Sequence, residues 1–384
     1  MEFQLTKSQK IIQKAAMEFA RGEFDKEVTT DFENRHSYPI SVWEKAAELG
    51  FIGIQFPEAY SGGGMGVFEE CLIAEEFCHR DSTMGSVLSF AAFGSECIHR
   101  FGDDALRKKY LPQVAEGAML SGAAMAETDG WDNLTVFETT AVMDGDEWVI
   151  NGAKRHVFNG GTAGFYVVLC QTGLKNNSKP IVSMILVEND SAGLTATSVG
   201  DKLGLNMLAT TDLTFHDVLV PVGNLIGKEG MGIKQAKAFF DETRILAAAR
   251  ATGIAKGAFD RALMYVKQRE QFGRKISQFQ ITRHKIADMA TKIELARLIT
   301  YRAAWSFDNE KKIDSSLISM AKVWAAKIAV EVCNEAIQLL GGYGYVTEQE
   351  IERFYRDAKV AELSLGMPGI QKDNIADGVI GKLK

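Results

Sequence analysis

Proline is scarce in this 384-residue chain, at six, and the five cysteines are odd in number and scattered. Cys71, Cys78, Cys97, Cys170 and Cys333 therefore do not form a disulfide framework. They read as reduced, buried thiols of a cytoplasmic protein. Positive charge is lacking as well. The formal net charge is −7 and no basic cluster breaks the pattern, which excludes wrapping nucleic acid. No apolar run approaches the ~18–20 residues of a membrane span. Met1 to Leu5 leads at once into polar, amphipathic sequence, without the charged and then apolar regions of a secretory signal. Several catalytic patterns are missing: His-Glu-x-x-His, Cys-x-x-Cys, Gly-x-Ser-x-Gly and the dinucleotide glycine fingerprint. The six histidines show no metal-ligand spacing, so no metal site is expected.

Glycine is plentiful, at 36, and the apolar fraction of 46% is ordinary for a globular protein. The length suits two or three packed units. The opening segment reads as helices. Thr6 to Gln9 has capping-box spacing, with Leu5 just before it and Ile11, Ile12, Ala15 and Phe19 after it at helical intervals. Ser41 to Glu44 repeats the device before Ala46, Ala47 and Leu49. The run Ser61 to Gly66 is glycine-rich, but it lacks the Lys-Ser/Thr ending of a phosphate loop and follows no clear strand, so it reads as a turn. From Gly122 the texture changes. Two runs, 138–143 and 147–150, flank the hairpin signal Asp144-Gly145, and runs at 165–171, 183–187, 194–199 and 212–220 follow. After Gly230 the runs 232–268, 282–309, 315–340 and 348–359 carry apolar residues at three- and four-residue steps. The expected fold is mostly α with a small β domain. It comprises an N-terminal helical domain (1–120), a middle β-sandwich or barrel (121–228) and a C-terminal antiparallel four-helix bundle (229–384).

Ordered motifs run through all three parts. The first are Phe56 to Gly64, Lys108 to Pro112, Ile150 to Lys154 and Asn159 to Gly161. Lys202-Leu203-Gly204 leads to Leu213 to Pro221. The last third holds Asp241-Glu242-Thr243-Arg244, Arg269 to Gly273, Gln280, Gln338 to Gly344, Arg356 to Lys359 and Ile370-Gln371. Each is weak alone, but in this order and spacing they make the chain resemble the acyl-CoA dehydrogenase family over nearly its whole length. The resemblance implies FAD as cofactor, an acyl-CoA thioester as substrate, and a homodimer or homotetramer. It also implies an electron-transferring flavoprotein, or a similar acceptor, if the reaction is oxidative. Arg269, Phe272 and Gln280 would lie along the FAD pyrophosphate and ribityl region across a dimer contact, with Gln338, Gly341 and Gly342 at the adenine end. A guanidinium suits a diphosphate, and glycines let backbone approach a ligand. A helix-surface arginine beside a glycine cap is the plainer account. Met125, Ala126, Asp132, His156 and Phe158 match the flavin-facing segments. Asp241 and Arg244 either border the acyl-CoA channel or form an ordinary pair on a helix face.

The chain also departs from the family pattern. The usual reaction removes an α-proton with a glutamate whose pKa is raised by an apolar pocket. With Arg356 to Lys359 and Ile370-Gln371 as anchors, that position holds Leu365, which cannot take a proton. The alternative base position found in some relatives is Thr243. Glu362 would need a three-residue slip and reads as a surface carboxylate. The flavin-facing Trp-x-Thr-Asn-Gly is His156 to Gly160 here, so His156 is either a stacking substitute or a packed aromatic. The Thr-Glu-Pro-Gly-x-Gly-Ser-Asp loop has become Ala126 to Asn133, which makes Asp132 and Asp129 the candidate acids. Asn206 and Leu208 replace an arginine and a serine. Three activities fit this pattern: oxidation of an unusual acyl-CoA, cyclic or β-substituted, by a different base; a non-oxidative acyl-CoA lyase; or a base-less subunit of a heteromer.

Overall fold

Thr6 caps the first helix as its spacing predicts: its hydroxyl accepts from Gln9 N at 3.2 Å and Gln9 Oε1 accepts from Thr6 N at 3.0 Å. In this computed structural model the described residues are 4–128, 137–175 and 179–381. Helices α1 (Lys7–Glu23), α2 (Lys26–Arg35), α3 (Ile40–Glu48), α4 (Val67–Arg80), α5 (Ser82–Ser89), α6 (Ser95–Phe101) and α7 (Asp104–Ala115) form the N-terminal part. The second expected capping box is absent. Pro39 occupies the cap of α3 without a side-chain bond, so Ser41 already lies inside the first turn. The Ser61 to Gly66 run is a turn, tied by Gly64 N to Phe56 O at 2.8 Å and Met65 N to Ile54 O at 3.0 Å.

The middle part is a single hydrogen-bonded sheet of eight strands. These are β1 (Ser121–Ala124), β2 (Thr140–Asp144), β3 (Glu147–Phe158), β4 (Phe165–Leu174), β5 (Pro180–Glu188), β6 (Leu194–Ser198), β7 (Thr210–Pro221) and β8 (Leu225–Ile226). The order is β6-β7-β3-β2-β4-β5-β8, with β1 lying parallel beside β4. The Asp144-Gly145 signal does make the β2–β3 hairpin. The β3–β7 ladder shifts register twice, between Ile150 and Gly152 and between Lys154 and Val157. Bulges of this kind re-aim side chains at the end of a strand.

The last part holds α8 (Gly232–Gln268), then the small hairpin β9 (Glu270–Gln271) and β10 (Arg274–Lys275). It ends with α9 (Gln280–Asn309), α10 (Ser315–Leu340), α11 (Ile351–Leu363) and α12 (Pro368–Ile380). α11 starts later than its periodicity suggests because Glu350, at φ 59, separates it from a short 3-10 turn over Thr347–Gln349. α8 packs against α4, α9, α10 and α11. Its stretch from Ile245 to Ala258 is buried almost all round, which explains why alanine dominates there. One apolar core runs from the N-terminal helices through the sheet to Leu365, and a second fills the bundle.

Two sequence motifs lock these parts together. Asp357 is fully buried and accepts from Ser82 Oγ at 2.6 Å, from Thr83 Oγ1 and from Leu205 N at 2.8 Å. A Cβ on Gly204 would stand 2.6 Å from Asp357 Oδ1 and 2.8 Å from the Arg356 carbonyl carbon. Gly204 therefore permits the contact between the loop before β7 and α11.

Candidate active site

The end of β3 builds one wall of the site. The second bulge puts His156 at φ 52, its N–H donating 3.0 Å to Asp212 Oδ1 while Arg155 pairs with Asp212 at 2.7 Å. Lys154 points the other way into the interior, fully buried, and meets Glu127 at 2.6 Å. Glu127 also accepts from Glu138 N at 2.6 Å and Thr139 N at 3.1 Å, so one carboxylate closes the base of the segment between 128 and 138. Burial opposes its charge, but Lys154 and these donors hold the Glu127 carboxyl below its ordinary value. Met125 and Ala126 are buried beside it, their carbonyls accepting from Lys154 Nζ at 3.4 Å and Arg155 N at 2.9 Å. Asp129 and Asp132 lie outside the described residues. Asn159 then donates to Phe90 O at 2.7 Å and Ser121 O at 2.8 Å, pinning the strand end to the N-terminal helices.

His156 is exposed and Phe158 is buried, yet both line one cavity of about 450 Å³. Leu205, Leu208, Thr210 and, from the end of α11, Leu363 and Ser364 complete much of its wall. That size lies in the ordinary range for small-molecule sites. Asn206 turns away from it to donate to Glu33 at 3.0 Å.

The turn between α11 and α12 makes the neighbouring corner. Leu365 is fully buried at φ 56, and its carbonyl accepts from Arg244 Nε at 3.0 Å. Arg244 in turn lies 3.7 Å from Asp241, whose carboxylate accepts from Ser315 Oγ at 2.7 Å. Burial raises the Asp241 pKa, while Ser315 and Arg244 oppose the shift. Asp241 and Arg244 thus also make contacts within the chain. Thr243 is buried and its hydroxyl is spent on the Phe239 carbonyl at 2.9 Å. Glu362 pairs with Lys359 at 2.5 Å.

A second cavity, of about 730 Å³, lies at the far end of the bundle. Arg269, Gln338, Gly341, Gly342 and Tyr343 share its lining, and the Arg269 guanidinium sits 5.9 Å from the Tyr343 ring centroid. A Cβ built on Gly341 (φ 62) or Gly342 would meet nothing within 4 Å, so the backbone here is open to a ligand. A cation, an amide and bare backbone together fit a diphosphate or a purine ring. Phe272 and Gln280 are placed elsewhere, on the exposed hairpin and at the start of α9, with Phe272 92% exposed.

The sequence reading missed a set of interior charges. Lys322, 1% exposed, donates to Gly366 O at 2.6 Å. Glu70, Glu96 and Glu242 gather between α4, α6 and α8 with Arg100 and Arg250; Arg100 bonds Glu242 directly. Burial pushes the Glu70 carboxyl up to about 7 and raises Glu96 well above its ordinary value. A signal was available for Arg250, because Ala247 to Ala251 offers no other polar side chain and hence no solvated face.

Comparison with known proteins matches this architecture in three consecutive pieces. Residues 6–118 match the acyl-CoA dehydrogenase N-terminal domain, 122–218 the middle domain and 230–380 the C-terminal domain. The chain is 36% identical, over 98% of its length and 99% of the relative, to a probable acyl-CoA dehydrogenase of Bacillus subtilis. The butyryl-CoA dehydrogenase structure from Megasphaera elsdenii superposes with a TM-score of 0.93 at 32% identity, covering 99% of this chain and 100% of that one. A structure reported for the electron transferring flavoprotein of Acidaminococcus fermentans gives 0.94 at 36% identity, covering 100% of both chains. Among the described residues no helix is long and apolar enough to cross a membrane. With its helical, β and helical parts each matched in order, the chain belongs to the acyl-CoA dehydrogenase family of FAD-dependent flavoprotein oxidoreductases.

Proposed function

We propose that this family member oxidises an unusual acyl-CoA thioester, cyclic or β-substituted, without the glutamate base common among its relatives. The observation that carries the reading is Leu365. It stands where the family motif puts the base, and its side chain is sealed in the apolar core. Thr243, the other base position, has its hydroxyl tied to a carbonyl. A reaction that starts with α-proton removal therefore needs a proton acceptor from another part of the site. Asp132 is the first candidate and Asp129 the second, since their segment borders the flavin in the family.

FAD, when bound, supplies the hydride acceptor. Arg269, Gln338, Gly341 and Gly342 would hold its diphosphate and adenine, and Met125, Ala126, Asp132, His156 and Phe158 would flank the ring system. Phe272 and Gln280 would serve a neighbouring subunit, and the exposure of Phe272 supports a homodimer or homotetramer. The units 1–120, 121–228 and 229–384 act as its domains. An electron-transferring flavoprotein is the proposed acceptor, in keeping with the Acidaminococcus structure, and the cytoplasm is the proposed location.

Anaerobic titration of the purified flavoprotein with a panel of acyl-CoA thioesters tests the proposal. Straight-chain butyryl- and octanoyl-CoA should bleach the flavin band little, and a cyclic or β-substituted thioester should bleach it fully. Rapid bleaching by the straight-chain substrates would sink it. Product formation without bleaching would point instead to the lyase, whose β-elimination needs no hydride acceptor.

A further inference from the structure

Among the described residues, α8 carries a cation that an aromatic ring engages but no hydrogen-bond acceptor does. Arg250 is 7% exposed, and among the described residues it makes no hydrogen bond and no ion pair. Its guanidinium carbon lies 4.0 Å from the Phe90 ring centroid. Glu70, Glu96, Cys71 and Cys78 act on it only through space. Five N–H donors left unanswered inside a protein are a substantial desolvation cost. The group is not sealed off, because its nitrogens are not among the buried polar atoms that lack both a partner and surface. Phe90, Cys71, Cys78 and Glu96 around it are all buried.

The nearby acids, unlike Arg250, have donors. Glu70 is bonded by Gln55, Glu96 accepts from Gly94 N at 2.6 Å, and Glu242 is bonded by Arg100. Glu242 Oε1 still lacks a donor, but among the described residues Arg250 has no acceptor at any of its nitrogens, so the larger unmet demand here is for hydrogen-bond acceptors.

Position connects this demand to the site. Thr243, Ala247 and Arg250 share one face of α8 at four- and three-residue steps, spanning ~10 Å along its axis. Phe239 begins the same face one turn earlier, and from it the rings of Phe93 and Phe90 follow at 5.2 and 5.4 Å, with Phe90 4.8 Å from Phe158 in the wall of the 450 Å³ cavity. A chain entering beside Phe158 and running past Ala247 would end at the guanidinium.

The geometry points to Arg250 as the receptor for a carboxylate at the far end of the acyl chain, which makes the substrate class the CoA monothioester of a dicarboxylic acid. This rests on the proposed acyl-CoA chemistry of the site and adds a terminal carboxylate to the acyl group it takes. The planar guanidinium matches a carboxylate with two parallel hydrogen bonds, whereas a methyl-terminated chain leaves it unanswered.

The test is equilibrium binding to the FAD-loaded protein by calorimetry, without turnover. Glutaryl-, adipyl- and pimelyl-CoA are compared with pentanoyl-, hexanoyl- and heptanoyl-CoA. At the matching length the carboxylate form should bind about 10–100-fold more tightly, as expected for hydrogen bonds to a charged group. Arg250→Gln should abolish the preference and Arg250→Lys should keep part of it. If Arg250→Gln fails to fold, the double variant with Glu70→Gln restores the interior charge balance and is read instead. Equal binding of the two series by the wild type, or a preference that survives Arg250→Gln, overturns the inference while leaving the proposed function standing. Failure of every thioester to bind overturns both.

Discussion

Arg244 on α8 reaches the turn between α11 and α12 and donates its Nε to the carbonyl of Leu365 at 3.0 Å. Lys322 on α10 holds the next carbonyl, Gly366, at 2.6 Å. Leu365 is a branched residue at φ 56, a backbone region that disfavours any side chain by roughly 1–2 kcal/mol. One half-buried and one fully buried cation thus fix a strained residue at the corner of the site.

Removing the first cation should release that strain at the expense of order. Arg244→Met is expected to destabilise the protein by about 1–3 kcal/mol, the range for losing a charged donor to a buried carbonyl. Urea unfolding with unchanged m-value checks it, and a loss under about 0.5 kcal/mol would mean the carbonyl is held by something else.

Leu365→Glu tests the proposed absence of a base at this position. A working general base is worth ~10²–10⁴-fold, so butyryl-CoA oxidation should rise by a sizeable part of that range. The site is apolar and closed, so the new carboxyl should have a raised pKa. Its activity depends on the ionised form and should therefore increase with pH. A variant that folds, holds FAD and shows no gain at any pH would place the obstacle elsewhere, such as at Phe158.

Cofactor retention should separate Arg269 from Gly341. Arg269 is exposed at the end of α8, so Arg269→Gln should lower FAD affinity by about 10–100-fold while leaving the flavin-free protein's stability within ~0.5 kcal/mol. Gly341 sits at φ 62, so Gly341→Ala should reduce both FAD affinity and stability, the latter by about 1 kcal/mol. Flavin-to-protein ratios after gel filtration, with melting curves, read the two effects. Full flavin retention in Arg269→Gln would remove the assigned role.

The interior acids predict a pH effect of definite sign. Burial lifts the Glu70 carboxyl from 4.5 to about 7, with Glu242 raising it further and Gln55, Arg250 and Arg100 lowering it. Between those two values the folded state binds more protons than the unfolded chain. Glu70's contribution to stability is therefore complete below 4.5 and declines as pH rises through about 7. The melting temperature should fall from pH 5 to 8, and Glu70→Gln should flatten that slope. An identical slope in the variant would assign the effect to another group.

Where the sequence spoke clearly, the cause was local. The bounds of α8 and α10 were readable because apolar spacing, a glycine start and the Gly341 stop all act within a few residues. The β2–β3 hairpin followed from Asp144-Gly145 for the same reason. Ser41 misled because a neighbouring proline took the cap position. The motifs and their order also indicated the family, to which all three parts of the chain match. Tertiary structure decided what no local pattern encodes. Asp357 owes its role to Ser82, Thr83 and Leu205, which lie far from it in the chain. Asp241 and Arg244, which the sequence could read as channel residues or as a plain pair, also bond Ser315 and the Leu365 carbonyl, contacts between segments distant in the chain. Arg250 makes no hydrogen bond among the described residues because folding sets its guanidinium against the Phe90 ring, with the nearby carboxylates bonded elsewhere. A charge states its type in sequence, but its need for a partner depends on the solvent it loses, and burial is set by contacts between distant segments.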